Sequence, residues 1–184
     1  IISGRRPRWC TPTDPSSQAA TEERQRATLI LINAEFIRIT TVPLETKFLA
    51  QLDKHSTKLL EVIRSKGGVV EEKTTRTLQV LDEENEVEEL EQTTMAIFIT
   101  EKEDPLHPPK DIKIVIEGTE VLNELPSVAT AFAMVFGLIY TLNLKYPKRL
   151  QFTFEFVQTV LMELDGKRIT PKVNRLSTQL YSTD

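Results

Sequence analysis

Two histidines, His55 and His107, are the only candidates in this chain for a hydrolytic mechanism that runs through a histidine base. Their neighbours do not support that role. His55 falls inside an amphipathic stretch, one turn from Leu52 and from Leu59, which is where a histidine packs at the edge of a core. His107 stands between Pro105 and Pro108 in a loop. The single cysteine, Cys10, lies in a stretch rich in proline and serine, so a Cys-His pair would need that stretch to fold back over the rest. One cysteine and two histidines also cannot make a four-ligand zinc centre of those residue types. No set of nucleophile, base and orienting group can be assembled, and the residues assign no catalytic, metal-binding or cofactor-binding position.

Carboxylates are more numerous and need a different test. Asp82 to Glu91 holds seven of them without one lysine or arginine. An EF-hand requires alternating ligands around a central glycine, which this run lacks, and a general acid requires a buried carboxyl beside an ionised one. The run reads as a solvated loop, because like charges at this density repel one another and stay in water. A divergent enzyme would have to draw instead on Glu117, Glu120, Glu155 or Glu163 meeting in one cleft. Gly67-Gly68 lacks the spacing and the following lysine of a phosphate loop and is explained by the end of a helix. Lys145, Lys148, Arg149, Lys167, Arg168, Lys172 and Arg175 make the last third locally basic, which allows an RNA-binding alternative. A formal net charge of -4 for the whole chain argues against general nucleic-acid binding, since a phosphate backbone has to be met by excess cationic charge.

With 184 residues, of which 40% are hydrophobic and 27% charged, the chain can close one sizeable core but not two of ordinary size. The expected organisation is a tail or linker over residues 1–21 and a single domain over 22–184, with the acidic loop at 82–91. The chain begins at Ile1 and reads as an excerpt of something longer. Without a second cysteine it owes nothing to disulfides, and a reducing compartment, cytoplasm or nucleus, is the expected setting.

Hydrophobic spacing gives the elements that must position these residues. From Glu22, Ala27, Leu31, Ala34 and Ile37 recur three or four apart, and the spacing predicts a helix, although Leu29 to Ile32 is also a continuous apolar run. A second helix is predicted from Pro43 and Glu45, with Phe48, Leu52, Leu59 and Ile63 on one face and Gly67-Gly68 as its stop. Met95 to Thr100 and Ile112 to Ile116 are short, rich in β-branched residues and separated by Asp104-Pro105 and Pro108-Pro109, the pattern of two strands. Pro126-Ser127 then opens a helix carrying Val128, Phe132, Val135, Ile139 and Leu142. Pro147 opens another through Leu150, Phe154, Val157, Leu161 and Leu164, ended by Gly166. Thr170-Pro171 opens the last, with Val173, Leu176 and Leu180 buried. The expected fold is α+β and predominantly helical, a small sheet with a C-terminal three-helix core.

Leu125 to Leu144 contains no charged residue and is followed by Lys145, Lys148 and Arg149, the outline of a membrane span. Pro126, Ser127, Thr130, Thr141 and Asn143 shorten its apolar part to Ala131 through Tyr140, the length of a core helix. Gly137 in its middle predicts close approach to a neighbouring helix. No membrane contact is expected.

Several stretches are shared with a known group. Ile112-Lys-Ile-Val-Ile-Glu-Gly118, Val121-Leu122, Ala131-Phe-Ala-Met-Val-Phe-Gly-Leu-Ile-Tyr-Thr-Leu-Asn-Leu144, Tyr146-Pro147-Lys148, Thr153-Phe-Glu-Phe156 and Pro171-Lys172-Val173 carry the likeness, with Asn33-Ala-Glu-Phe36, Pro43-Leu44-Glu45, Leu52-Asp53 and Lys58-Leu59-Leu60 upstream. Over roughly Asn33 to Leu180 the chain resembles the C-terminal region of the vertebrate sterile alpha motif domain-containing protein 3-like family, a group expanded in fishes. That family takes its name from a small helical interaction module absent from this chain, so the resemblance carries over no catalytic, cofactor-binding or partner-binding residue. Where the family often ends a strand on a Leu-Gly-Glu-Asp type sequence, this chain has Thr100-Glu101-Lys102-Glu103-Asp104. The function expected from residues and resemblance together is a non-enzymatic domain that associates with a protein partner.

Overall fold

The computed structural model describes residues 15–65, 95–100, 111–164 and 169–182. Cys10, Gly67-Gly68, the acidic run at 82–91, His107, Gly166, Lys167 and Arg168 lie outside the described residues. Helix α1 spans Pro15–Thr40. It starts before the boundary expected at residue 21, because Pro15 is well suited to a first helical turn and Ala19-Ala20 favour its continuation. At 26 residues it is about 39 Å long. Leu29, Ile32 and Phe36 turn inward, and Asn33 Nδ2 donates to the Leu29 carbonyl at 3.0 Å. The helix ends where Thr41 takes a φ of 62° and the Thr40 hydroxyl accepts from Val42 N.

Helix α2, Leu44–Ser65, leaves that corner at 81° to α1. The start and amphipathic face expected from Pro43 are both present, and Leu44 and Phe48 are buried. Strands β1, Met95–Thr100, and β2, Asp111–Ile116, pair antiparallel from Met95 opposite Ile116 to Thr100 opposite Asp111. A third strand, β3, Thr119–Leu122, is not among the expected elements. It comes after a two-residue turn in which Glu117 and Gly118 both have positive φ, 48° and 72°. Turns of that hand match the twist of a hairpin. The order β1-β2-β3 puts β2 in the centre, where Ile112, Ile114 and Ile116, on alternate residues, enter the core.

Helix α3, Val128–Thr141, begins on Ser127, whose hydroxyl accepts from Thr130 N at 3.0 Å. It is the central helix of the fold, with nine buried residues between Thr130 and Ile139, and it packs on α1, α2 and the sheet. The prediction for Gly137 holds. A Cβ placed there would stand 2.8 Å from Ile32 Cγ2 and closer still to Leu44 Cδ2, so the glycine marks where three helices converge.

Two expectations for the next helix are corrected. Pro147 does not start a regular helix; it precedes a 3-10 turn at Lys148–Leu150, and helix α4, Gln151–Phe156, comes after that turn. α4 then widens into a π turn, Val157–Leu161, closed by Met162 N donating to the Val157 carbonyl at 2.8 Å. The helix therefore stops before Gly166, and Glu163 takes a φ of 53°. Helix α5, Pro171–Tyr181, begins as predicted with Pro171 in its first turn and buries Val173 and Leu180, while Leu176 is partly buried.

The fold is thus α+β and mainly helical with one small sheet. Phe154 of α4 stacks on Phe132 and Phe136 of α3 and on Tyr146, and Phe132 stacks in turn on Phe48 of α2. The C-terminal helices meet as expected, but the core they build also takes in Ile32, Phe36, Leu44 and Phe48 from α1 and α2. Among the described residues no single helix is long and apolar enough to cross a membrane.

Candidate interaction surface

The four carboxylates considered for catalysis have separate engagements. Glu117 sits exposed at the β2–β3 turn. Glu120, exposed on β3, accepts from Asn123 Nδ2 at 2.6 Å. Glu163 pairs with Lys47 of α2 at 2.6 Å, and that ammonium holds its carboxyl below the usual range.

Glu155 has a structural role. Its Oε1 accepts from Thr170 N at 2.5 Å and its Oε2 from the Thr170 hydroxyl at 3.1 Å. The Thr170 hydroxyl makes no cap bond to its own helix, so the carboxylate of α4 occupies the amino end of α5, where backbone N–H groups and the helix dipole favour an anion. Glu155→Ala is expected to cost about 1–3 kcal/mol, since it strands a part-buried backbone donor. Chemical denaturation measures this, and a loss below a few tenths of a kcal/mol would contradict the assignment.

No group of three or more His, Cys, Asp or Glu side chains among the described residues is placed to hold a metal ion. Of the basic residues, Lys145, Lys148, Lys172 and Arg175 are exposed, and the Lys172 ammonium lies 4.5 Å from the centre of the Phe152 ring. The cation–π contact ties that lysine to α4.

Two surface features among the described residues bear on binding. One is a groove of about 640 Å³ beside the carboxyl end of α3, with Ile39, Ile139 and Leu144 among its apolar walls. Tyr140, Tyr146, Asn143, Gln151 and Gln158 supply neutral polar groups, and Lys145 adds a charge. Tyr146 donates to Gln158 Oε1 at 2.8 Å, and burial, reinforced by Tyr140, pushes its hydroxyl far above the usual phenol range, so it remains a donor. The groove therefore offers hydrogen bonds but no base or nucleophile activated at neutral pH.

The other is the outward side of α1. Ala27, Ile30, Leu31, Ala34 and Ile37 are all exposed, with Ile30 at 69%, Leu31 at 67% and Ile37 at 44%. At 100° per residue they fall on one stripe pointing away from Leu29, Ile32 and Phe36. The run Leu29-Ile30-Leu31-Ile32 is thus shared between two faces, its outer members to the core and its inner members to the surface. Exposed Glu23, Arg26 and Arg38 lie along the stripe, and Arg38 is held by Glu35 one turn back. Isolated exposed leucines need no explanation, but a contiguous stripe of this kind on a helix does.

No family model, no curated protein and no solved structure matches this chain.

Proposed function

We propose that this domain works by protein association and not by catalysis, and that it binds an amphipathic helix of its partner along the outward face of α1. The observation that carries the reading is the stripe Ala27, Ile30, Leu31, Ala34 and Ile37. Its three-four spacing is the one by which side chains of a facing helix interlock, and alanines seven residues apart let a second backbone come close. Glu23, Arg26 and Arg38 along it would select a partner helix with charges of both signs flanking its own apolar seam. The resemblance to the sterile alpha motif domain-containing protein 3-like family fits a role in association, and a setting in cytoplasm or nucleus fits the lone cysteine. The scattered engagements of Glu117, Glu120, Glu155 and Glu163 speak against the alternative of a carboxylate-based enzyme.

The test is a photo-crosslinking residue at position 34 in cells. One discrete product is expected, either with a helical partner protein or with a second copy of the chain. Ile30→Glu with Leu31→Glu should abolish it while thermal stability stays nearly unchanged, because both positions are exposed. Equal crosslinking in the double variant, or none at position 34 at all, would sink the proposal.

A further inference from the structure

Where α2 meets α5, a histidine is enclosed without a hydrogen-bond partner for one of its nitrogens. His55 is 5% exposed, and its Nε2 is buried and finds no partner among the described residues. Half-exposed Tyr181, in the last turn of α5, covers it, the two rings edge to face with centroids 5.2 Å apart and planes at 84°. The contact joins the C-terminal helix to a helix far away in sequence.

We propose that this seam is a pH-sensitive latch: with His55 neutral α5 stays docked on α2, and protonation of His55 loosens α5 while the core around α3 stays closed. The surroundings are arranged for that response. On α2 the neighbouring charges are exposed Asp53, exposed Lys54, and Lys58, which pairs with Glu61. On α5 the charged residues Lys172 and Arg175 are exposed, and Tyr181 presents a neutral ring. On the segment after α4, Glu163 is taken up by Lys47. A proton on His55 would therefore meet burial, the nearby Lys54 cation and an Nε2 with no acceptor. The attraction of an imidazolium for the Tyr181 ring opposes these but restores no lost hydration.

Burial first, and Lys54 second, accordingly lower the His55 pKa from its ordinary value. That direction sets the sign of the pH response. An imidazole that binds its proton less readily in the docked state than in the released state stabilises docking fully above the released-state pKa of about 6.5, and loses that contribution as pH falls below it. At pH 5.5 the released state can gain at most about tenfold, the protonation ratio one unit below that value.

Hydrogen exchange of the intact chain at pH 7.5 and 5.5, corrected for intrinsic rates, reads this out by segment. Opening of the α5 amides should rise severalfold, up to about tenfold, while the α3 amides hold. His55→Gln should make α5 indifferent to pH over this range, and His107→Gln should leave the response intact. A flat wild type, an equal response in His55→Gln, or α3 opening in step with α5 overturns the latch. If His55→Gln does not fold, NMR titration of the imidazole in the unaltered chain decides, and titration at or above the ordinary histidine value overturns it as well.

Discussion

Phe154→Ala is expected to remove about 3–5 kcal/mol of stability, the range for a large aromatic cut back to alanine in a packed core. For a domain whose whole margin is about 5–15 kcal/mol, this leaves a protein on the edge of unfolding. The site justifies the upper part of the range. Phe154 is 1% exposed, and its ring stacks at 5.3 Å on Phe132, 5.2 Å on Tyr146 and 6.4 Å on Phe136, so one truncation breaks three ring contacts together. Each such pair adds roughly 0.5–1.5 kcal/mol beyond the area it buries. Phe154→Leu should cost less, about 1–2 kcal/mol, because most of the volume is kept. Phe152→Ala, two residues earlier, should cost less than Phe154→Ala, about 1 kcal/mol, since that residue is 42% exposed and its ring meets the Lys172 ammonium at the surface. Urea denaturation of the three variants gives the ranking, and equal losses at 152 and 154 would contradict the burial of the second.

The second large effect comes from adding atoms. Gly137→Leu is expected to cost more than about 3 kcal/mol, because the position lies against buried Ile32 and Leu44 with no room even for a Cβ. Gly137→Ala discriminates better. Alanine favours a helix over glycine by about 1 kcal/mol, while overpacking costs about 1–3 kcal/mol, so the net change is a loss of up to about 2 kcal/mol. Leu44→Ala alone should cost about 2–5 kcal/mol, but it vacates the space that the new methyl group needs. The double variant should therefore be clearly more stable than the sum of the two losses implies, and strict additivity would mean that the two residues do not compete for space.

Much of this fold is legible in the amino-acid sequence. Pro43, Ser127 and Pro171 mark helix starts because their chemistry acts locally, through a fixed φ or a hydroxyl at an open N–H. Phe132, Ile139, Phe154 and Leu161 pack into the core as their spacing requires, because a 3.6-residue period puts them on facing stripes. Strand β3 leaves no such mark. It has four residues of which only Leu122 is buried, and its turn is Glu-Gly instead of the Asn-Gly or Asp-Gly that usually signals a hairpin. Glu117, a candidate catalytic carboxylate by residue type, accordingly proves to be a bend in the backbone.

The candidate surface is less legible than the fold. The spacing of Ala27, Leu31, Ala34 and Ile37 suits the buried side of α1, yet all four are exposed and the core side runs through Leu29, Ile32 and Phe36. Charged and apolar residues are spread around α1 without one polar face, so spacing alone cannot say which of two apolar stripes turns inward. His55 does lie beside Leu52 and Leu59 on its helix, as its position in the sequence requires. Its cover, Tyr181, has no local signal, since the contact joins residues far apart in the chain and depends on where α5 lands. Glu155 stands out in the sequence only for its acidity, but its use is fixed by Thr170 arriving opposite it.

The widened turn after α4 bears on how this chain could change in evolution. A π turn holds one residue more than an α-helix needs to climb the same height. Losing one residue between Val157 and Leu161 would let an ordinary α turn span the same height, so the side chains beyond it would keep their bearing about the helix axis. Leu161 and Met162, both buried, would then keep their sockets, and Glu163 its place beside Lys47. The irregular coil is thus what keeps the downstream side chains in phase with the interior despite the extra residue, and a lineage could lose that residue here, as it could not in a regular turn of the same helix, without rebuilding the interior.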